Sequence, residues 1–181
     1  MSKIGKKQII LPKDLSVTNT NGTLLIKGPM GSKTLTINDK IFSASTNSEN
    51  KFEIKPLGVK IDKKTSIMWG TYRSLINNAI IGVSAGHKKL LDITGVGFRA
   101  NLKGDMLNLQ LGFSHDINFK IPKDIKITVE KQTSITITGV DKELVSKVAS
   151  DIKSLKPVEP YKGKGIKEKN QYVLRKEGKK K

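Results

Sequence analysis

Gly95-Val96-Gly97-Phe98-Arg99-Ala100 satisfies G-x-G-x-x-A, a glycine pattern that brings a pyrophosphate against a helix N-terminus. That chemistry needs a helix directly afterwards, and Asn101 to Asp105 read as strand and turn. The stretch reads instead as a glycine-rich bend or bulge that presents Arg99 among small neighbours. A backbone that can approach closely beside a guanidinium makes a phosphate contact. Gly31-Ser32-Lys33-Thr34 lacks the glycine that a P-loop places before its lysine, and it leads into strand. Gly28-Pro29-Met30-Gly31 has the G-x-x-G spacing of an RNA backbone clamp, but that clamp lies between helices and this one between strands. Both read as turns. Ser114, His115 and Asp116 are neighbours in sequence, which is not the geometry of a base held by its orienting acid. They read as a polar turn.

The segment Pro157-Val158-Glu159-Pro160-Tyr161-Lys162-Gly163-Lys164-Gly165-Ile166-Lys167 has low structural propensity and a set of parts with one shared use. Lys162, Lys164 and Lys167 are point charges for phosphates. Gly163 and Gly165 let backbone N–H groups approach a sugar–phosphate ridge, and Tyr161 offers a ring to stack on a base or ribose. Lys169, Arg175, Lys176 and Lys179-Lys180-Lys181 continue the charge. The competing reading is a solvated basic end that aids solubility. Too little periodicity runs through the last residues to order them without a partner.

The elements that hold these residues repeat. Leu11-Pro12-Lys13-Asp14-Leu15-Ser16-Val17 matches Ile121-Pro122-Lys123-Asp124-Ile125-Lys126-Ile127 at an offset of 110, and Leu25 to Gly28 matches Thr136 to Gly139 with one residue of slip. In the first half, Leu15, Val17, Leu24 and Ile26 alternate about an Asn21-Gly22 hairpin, followed by Leu35, Ile37, Phe52 and Ile54. Met68, Tyr72, Leu75, Ile76, Ala79 and Ile80 then recur at helical spacing, with Thr65 or Ser66 as cap and Gly82 as stop. Trp69 reads as core or as a domain contact. In the second half, strands read through Leu91 and Ile93, through Leu107 to Leu111 after a Gly104-Asp105 hairpin, and through Phe119 and Ile121. Ile125, Ile127 and Val129 face Ile135 and Ile137. A helix capped by Asp141 follows, with Leu144, Val145, Val148, Ala149, Ile152 and Leu155 as its stripe and Pro157 as its stop. This predicts an α+β chain of two duplicated domains, 1–82 and 83–156, each an antiparallel sheet packed on one main helix, with a basic extension over 157–181. Val83 to His87 is too short for a flexible tether.

Composition narrows the partners. The 181 residues carry 34 Lys and Arg against 16 Asp and Glu, a formal +18. Residues 156–181 hold ten of the cations and three Glu, so +7 sits in the last 26 residues. Such a field suits a polyanion. Only Arg73, Arg99 and Arg175 are arginines, and a lysine-rich surface reads phosphate position and shape rather than base edges. With no Cys and two His, disulfides, thiolate zinc and histidine-rich metal sites are excluded, and no cofactor is implied. No apolar run approaches the about 20 residues of a bilayer span. The basic start has no apolar stretch behind it, which reads as no secretory signal.

Val158-Glu159-Pro160-Tyr161-Lys162-Gly163-Lys164-Gly165-Ile166 resembles the signature of the bacterial-type sixth protein of the large ribosomal subunit. Met68 to Thr71, Arg73 to Leu75, Asn77-Asn78, Gly95 to Ala100 and Leu111 to His115 match the same family in order, whereas Ile41 to Lys60 is least similar. The ending Arg175 to Lys181 is most similar to alphaproteobacterial members or mitochondrially encoded ones. The resemblance implies a ribosomal, non-enzymatic chain in a bacterial cytoplasm or mitochondrial matrix. It also implies large-subunit rRNA contacts near the stalk base and the sarcin–ricin region, with neighbouring large-subunit proteins as partners. The resemblance places RNA contacts at Tyr161 to Ile166, and with the cations read above the expected RNA-binding residues are Arg99, Lys103, Tyr161, Lys162, Gly163, Lys164, Gly165, Lys167, Lys169, Arg175 and Lys176. No homo-oligomer and no membrane contact are expected. A free-standing nucleic-acid-binding regulator would have the same charge.

Overall fold

A computed structural model describes residues 2–12, 14–46, 50–58 and 61–178. Lys13 of the repeat, part of the Ile41–Lys60 stretch and Lys179 to Lys181 lie outside the described residues. The chain forms two compact units, Met1–Gly86 with Val140–Lys142, and His87–Gly139 with Glu143–Lys181.

Among the described residues, the first unit has six strands and then a helix: β1 (Ile9–Ile10), β2 (Ser16–Thr20), β3 (Thr23–Gly28), β4 (Gly31–Thr36), β5 (Phe42–Thr46), β6 (Lys51–Pro56) and α1 (Lys63–Ser84). Two antiparallel sheets result, ordered β1-β6-β5 and β2-β3-β4. Asn21 and Gly22 both have positive φ, the twist a two-residue hairpin needs. Leu24, Ile26, Phe42, Phe52 and Ile54 from the sheets meet Trp69, Ile76, Ala79, Ile80 and Val83 from α1 in one core. Trp69 is in this core, its indole N–H donating to the Ile54 carbonyl at 2.7 Å.

Both ends of α1 differ from the expectation. Asp62 caps it, accepting from the Lys63 N–H at 2.7 Å, and its carbonyl accepts from the Ser66 N–H at 2.9 Å, so Thr65 and Ser66 lie inside the first helical turn. At the other end Gly82 stays helical and buried, since stopping there would pull the fully buried Val83 out of the core. Gly86, at φ +76°, ends the helix, its N–H donating to the Gly82 carbonyl at 3.1 Å.

The second unit repeats the order: β7 (His87–Thr94), β8 (Arg99–Lys103), β9 (Met106–Gln110), β10 (Ile117–Lys120), β11 (Ile125–Glu130), β12 (Ser134–Gly139) and α2 (Lys142–Leu155), followed by β13 (Gly165–Glu168). Its sheets run β11-β12-β7-β13 and β10-β9-β8. Ile127 pairs with Ile137 and Val129 with Ile135, as the alternation predicts. Val145, Val148, Ala149 and Ile152 of α2 pack on Leu91, Ile93, Leu107, Leu109, Ile135 and Ile137. Asp141 stands immediately before α2, and the helix ends two residues ahead of Pro157.

The α+β duplication is present, but its register is not the one the matched letters suggest. The sheet β1-β6-β5 corresponds to β7-β12-β11, and β2-β3-β4 to β8-β9-β10. An offset of 110 instead lays β2 and β3 on β11 and β12. The letters agree because two different hairpins use one local device. Leu15 N–H donates to the Pro12 carbonyl at 3.2 Å and Ile125 N–H to that of Pro122 at 3.1 Å, the same turn. Each hairpin then ends on a glycine whose missing Cβ makes room for two apolar side chains, Leu15 and Val83 at Gly28, and Ile125 and Val145 at Gly139.

Candidate nucleic-acid interface

Residues 157–178 fold back onto the second unit instead of leaving it as a bare extension. Ile166 N–H donates to the Lys156 carbonyl at 2.9 Å, and Ile166 forms a parallel bridge with Pro157. β13 then adds to β7 as an antiparallel edge strand, with Ile166 opposite Ile93 and Lys167 opposite Asp92. A segment of low structural propensity becomes a strand because Ile166 fills a core position, where it is fully buried. Burying a side chain of that size stabilises by roughly 1.5–3 kcal/mol.

Between Pro157 and β13 the chain closes a tight loop, Glu159 N–H donating to the Lys164 carbonyl at 2.9 Å. Its tip exposes Tyr161, Lys162 and Lys164. The far end of the chain returns here. Lys176 N–H donates to the Pro160 carbonyl at 2.8 Å, and the Arg175 guanidinium lies beside Gly163. Five of the expected residues, Tyr161, Lys162, Lys164, Arg175 and Lys176, thus gather on one turn, with Gly163 at φ +70° shaping it. Lys169 is exposed past β13, and Lys167 is half-buried on it. Gly165 is buried, at φ +137°, and a Cβ there would sit 2.7 Å from the Pro157 carbonyl oxygen and from Val158 Cα. Its bareness serves the fold.

The base of this turn carries contacts that composition does not foretell. Lys156 Nζ lies 4.4 Å from the centroid of the Phe113 ring, and Phe113 stacks on His115 at 6.4 Å. His115 therefore faces a ring, while the Asp116 carboxylate accepts from Gln110 at 3.3 Å and Asn108 at 3.4 Å. The sequential trio is a polar turn.

Arg99 and Lys103 open and close β8 on its solvent face, while Ala100 between them is buried. Asn101, Asn108 and Asn118 form a cross-strand row on that face, and Asn108 donates to Asn118 at 2.9 Å. Phe98, partly buried against the core, explains the glycines near Arg99: a Cβ at Gly95 would lie 2.5 Å from its ring and one at Gly112 2.9 Å. Because β8 follows, the dinucleotide pattern has no helix to serve it. Among the described residues, no side-chain hydrogen bond or ion pair joins Arg99 or Lys103 to the C-terminal turn. Gly28 and Gly31 close the β3–β4 hairpin.

Glu168 anchors the end of β13. Lys89 donates to one carboxylate oxygen at 2.7 Å and Lys153 to the other at 3.2 Å. The Lys89 hydrogen bond, then that of Lys153, holds the Glu168 carboxyl below the usual carboxylate range despite partial desolvation. A carboxyl lowered by folding contributes stability that is complete above its unfolded pKa and is lost as pH falls through the folded one. Denaturant midpoints measured at about pH 6 and about pH 3 are therefore expected to fall less for Glu168→Gln than for the native chain.

The sequence profile described as Ribosomal protein L6 matches residues 11–86 and, a second time, residues 94–169. The chain belongs to the ribosomal protein L6 family. One L6 match falls on each strand–helix series, which fixes the duplication independently of the strand order. The chain is 44% identical to the Large ribosomal subunit protein uL6 of Cereibacter sphaeroides and 44% identical to that of Paracoccus denitrificans, each over 181 residues and the whole of both chains. It is 45% identical to the uL6 of Mycoplasmoides gallisepticum over 179 residues, 99% of this chain and 97% of that one. L6 is a family of ribosomal proteins and not of enzymes, in keeping with the reading of Ser114, His115 and Asp116 as a turn. Among the described residues, no helix is long and apolar enough to cross a membrane.

Proposed function

We propose that this protein is a structural constituent of the large ribosomal subunit, binding large-subunit rRNA near the translation-factor site and the stalk base. On this reading, residues 83–156 with the extension 157–181 hold the RNA, and residues 1–82 face neighbouring large-subunit proteins. The observation that carries it is the C-terminal turn, which exposes Tyr161, Lys162 and Lys164 and to which Arg175 and Lys176 return. Point charges and a stacking face on one rigid turn suit an RNA ridge, and β13 supplies the rigidity. Arg99 and Lys103 form a second cationic face on β8. Gly165 acts from inside, by setting the path of the chain that carries the lysines. The relatives named as large-subunit proteins support the same assignment along the whole chain.

Sucrose-gradient sedimentation of a lysate, probed for the chain, tests this directly: it is expected with large subunits and 70S particles, released by high salt. Recovery only at the top of the gradient, with binding to short nucleic acids, would favour the free-standing regulator instead. In fluorescence titrations with large-subunit rRNA, Arg99→Ala is expected to cost about 1–3 kcal/mol of affinity, the range for a lost charge-assisted bond. Affinity equal to the native chain's would leave Arg99 without a phosphate role.

A further inference from the structure

A cavity of about 520 Å3 opens beside the C-terminal end of α2 in the second unit. Lys88 and Lys89 of β7, Lys153 of α2 and Lys169 after β13 line it, around Glu168 as its one carboxylate, with Asn170 at its margin. These residues are far apart in sequence, and the pairing of β13 with β7 brings them to one place. Four cations against one anion leave an excess of three positive charges on the wall. Glu168 engages two of them, one through each oxygen, so Lys89 and Lys153 are held in fixed positions. Lys88 and Lys169, among the described residues, make no ion pair. Lys169 is nevertheless placed, since its N–H donates to the Leu90 carbonyl at 3.1 Å. A pocket of this size holds a group far larger than a single ion, and ligand sites of about 300–1,000 Å3 are the usual range.

We propose that this cavity receives a sugar–phosphate segment of RNA, with Lys88 and Lys169 contacting phosphate oxygens and Glu168 fixing Lys89 and Lys153 at the cost of one repulsive charge. The proposal rests on the rRNA-binding reading above and adds a site on β7 and α2 to it. Its mark is an unusual sign: removing an acidic residue that makes two ion pairs tightens binding. With Gln at position 168, Lys89 and Lys153 lose a partner and turn to the phosphate, and the wall gains a net positive charge. A residue that only held β13 in place would act the other way.

The test uses the full chain and a large-subunit rRNA transcript, titrated by fluorescence at several KCl concentrations. Lys88→Gln with Lys169→Gln is expected to weaken binding about tenfold near 0.1 M salt and to flatten the log–log salt slope by about 1–2. Glu168→Gln is expected to bind about three- to tenfold more tightly, with a steeper slope. Circular dichroism melts establish that each variant is folded, and if Glu168→Gln is not, the double lysine variant decides. A native slope in the double variant, while the native chain itself binds steeply, overturns the cavity and leaves the rRNA reading intact. Weaker binding by a folded Glu168→Gln also overturns it. If the native chain shows no salt-dependent binding to the transcript, the rRNA reading fails and the cavity assignment with it.

Discussion

Gly165→Ala is expected to destabilise the second unit by about 2–5 kcal/mol, the sum of backbone strain and overpacking. At φ +137° an L side chain is strained wherever it has space, and here it has none. Its Cβ would press on the Pro157 carbonyl and on Val158 Cα, which are backbone atoms and cannot swing away as a lysine tip would. Relief would require β13 to move off β7, and that takes Ile166 out of the core. Gly97→Ala is the matched control, because Gly97 also has positive φ but its Cβ would meet nothing within 4 Å. Denaturant unfolding of both variants separates the two contributions. The control is expected to lose only about 1–2 kcal/mol, the left-handed conformational cost. Equal losses in the two would show that the contact with Pro157 and Val158 contributes nothing.

Neutralising the cations of the C-terminal segment is expected to change RNA binding most. With Lys162, Lys164, Lys167, Lys169, Arg175 and Lys176 all replaced by Gln, the salt slope should flatten by up to about 4–5, at 0.7–0.9 per neutralised phosphate. Lys167 is half-buried opposite Asp92, so its share is the smallest of the six. Deleting residues 157–181 would seem the simpler experiment, but the structure makes it misleading. The deletion removes an edge strand and a fully buried isoleucine together with the charges, so lost binding could reflect lost folding. Glutamine removes the charge, stays polar and soluble, and leaves Gly165, Ile166 and Glu168 in place. A slope unchanged from the native chain in the folded six-residue variant would remove the segment from the RNA-binding surface.

Much of the architecture was legible wherever its cause is local. The Asn21-Gly22 turn, the Ile125–Val129 and Ile135–Ile137 hairpin and the α2 stripe each lie within one short window of residues, and all three form as the pattern predicts. The limits of α1 are not legible locally, because two glycines and several capping residues compete there, and burial of Val83 decides where the helix stops. β1 is defined by pairing with β6, a partner far along the chain, whereas β5, although next to β6, alternates only Phe42 and Ala44 on its inner face and so carries little apolar pattern. The letters of the repeat agree through a turn and a glycine used twice, on hairpins that do not correspond in the fold.

For the candidate site the division is similar. Charge is additive and needs no fold, so the string of amino acids alone located the basic C-terminal end and pointed to a polyanion. It also carried the family, through motifs spread along both halves. Only the tertiary structure decided that Tyr161 to Lys164 meet Arg175 and Lys176, that Gly165 is bare for the sake of Pro157, and that Lys88, Lys89, Lys153 and Lys169 share a cavity. The physical reason is the pairing of β13 with β7. A strand ladder joins residues more than 70 positions apart, and no local propensity encodes its register until the core chooses Ile166 to fill it.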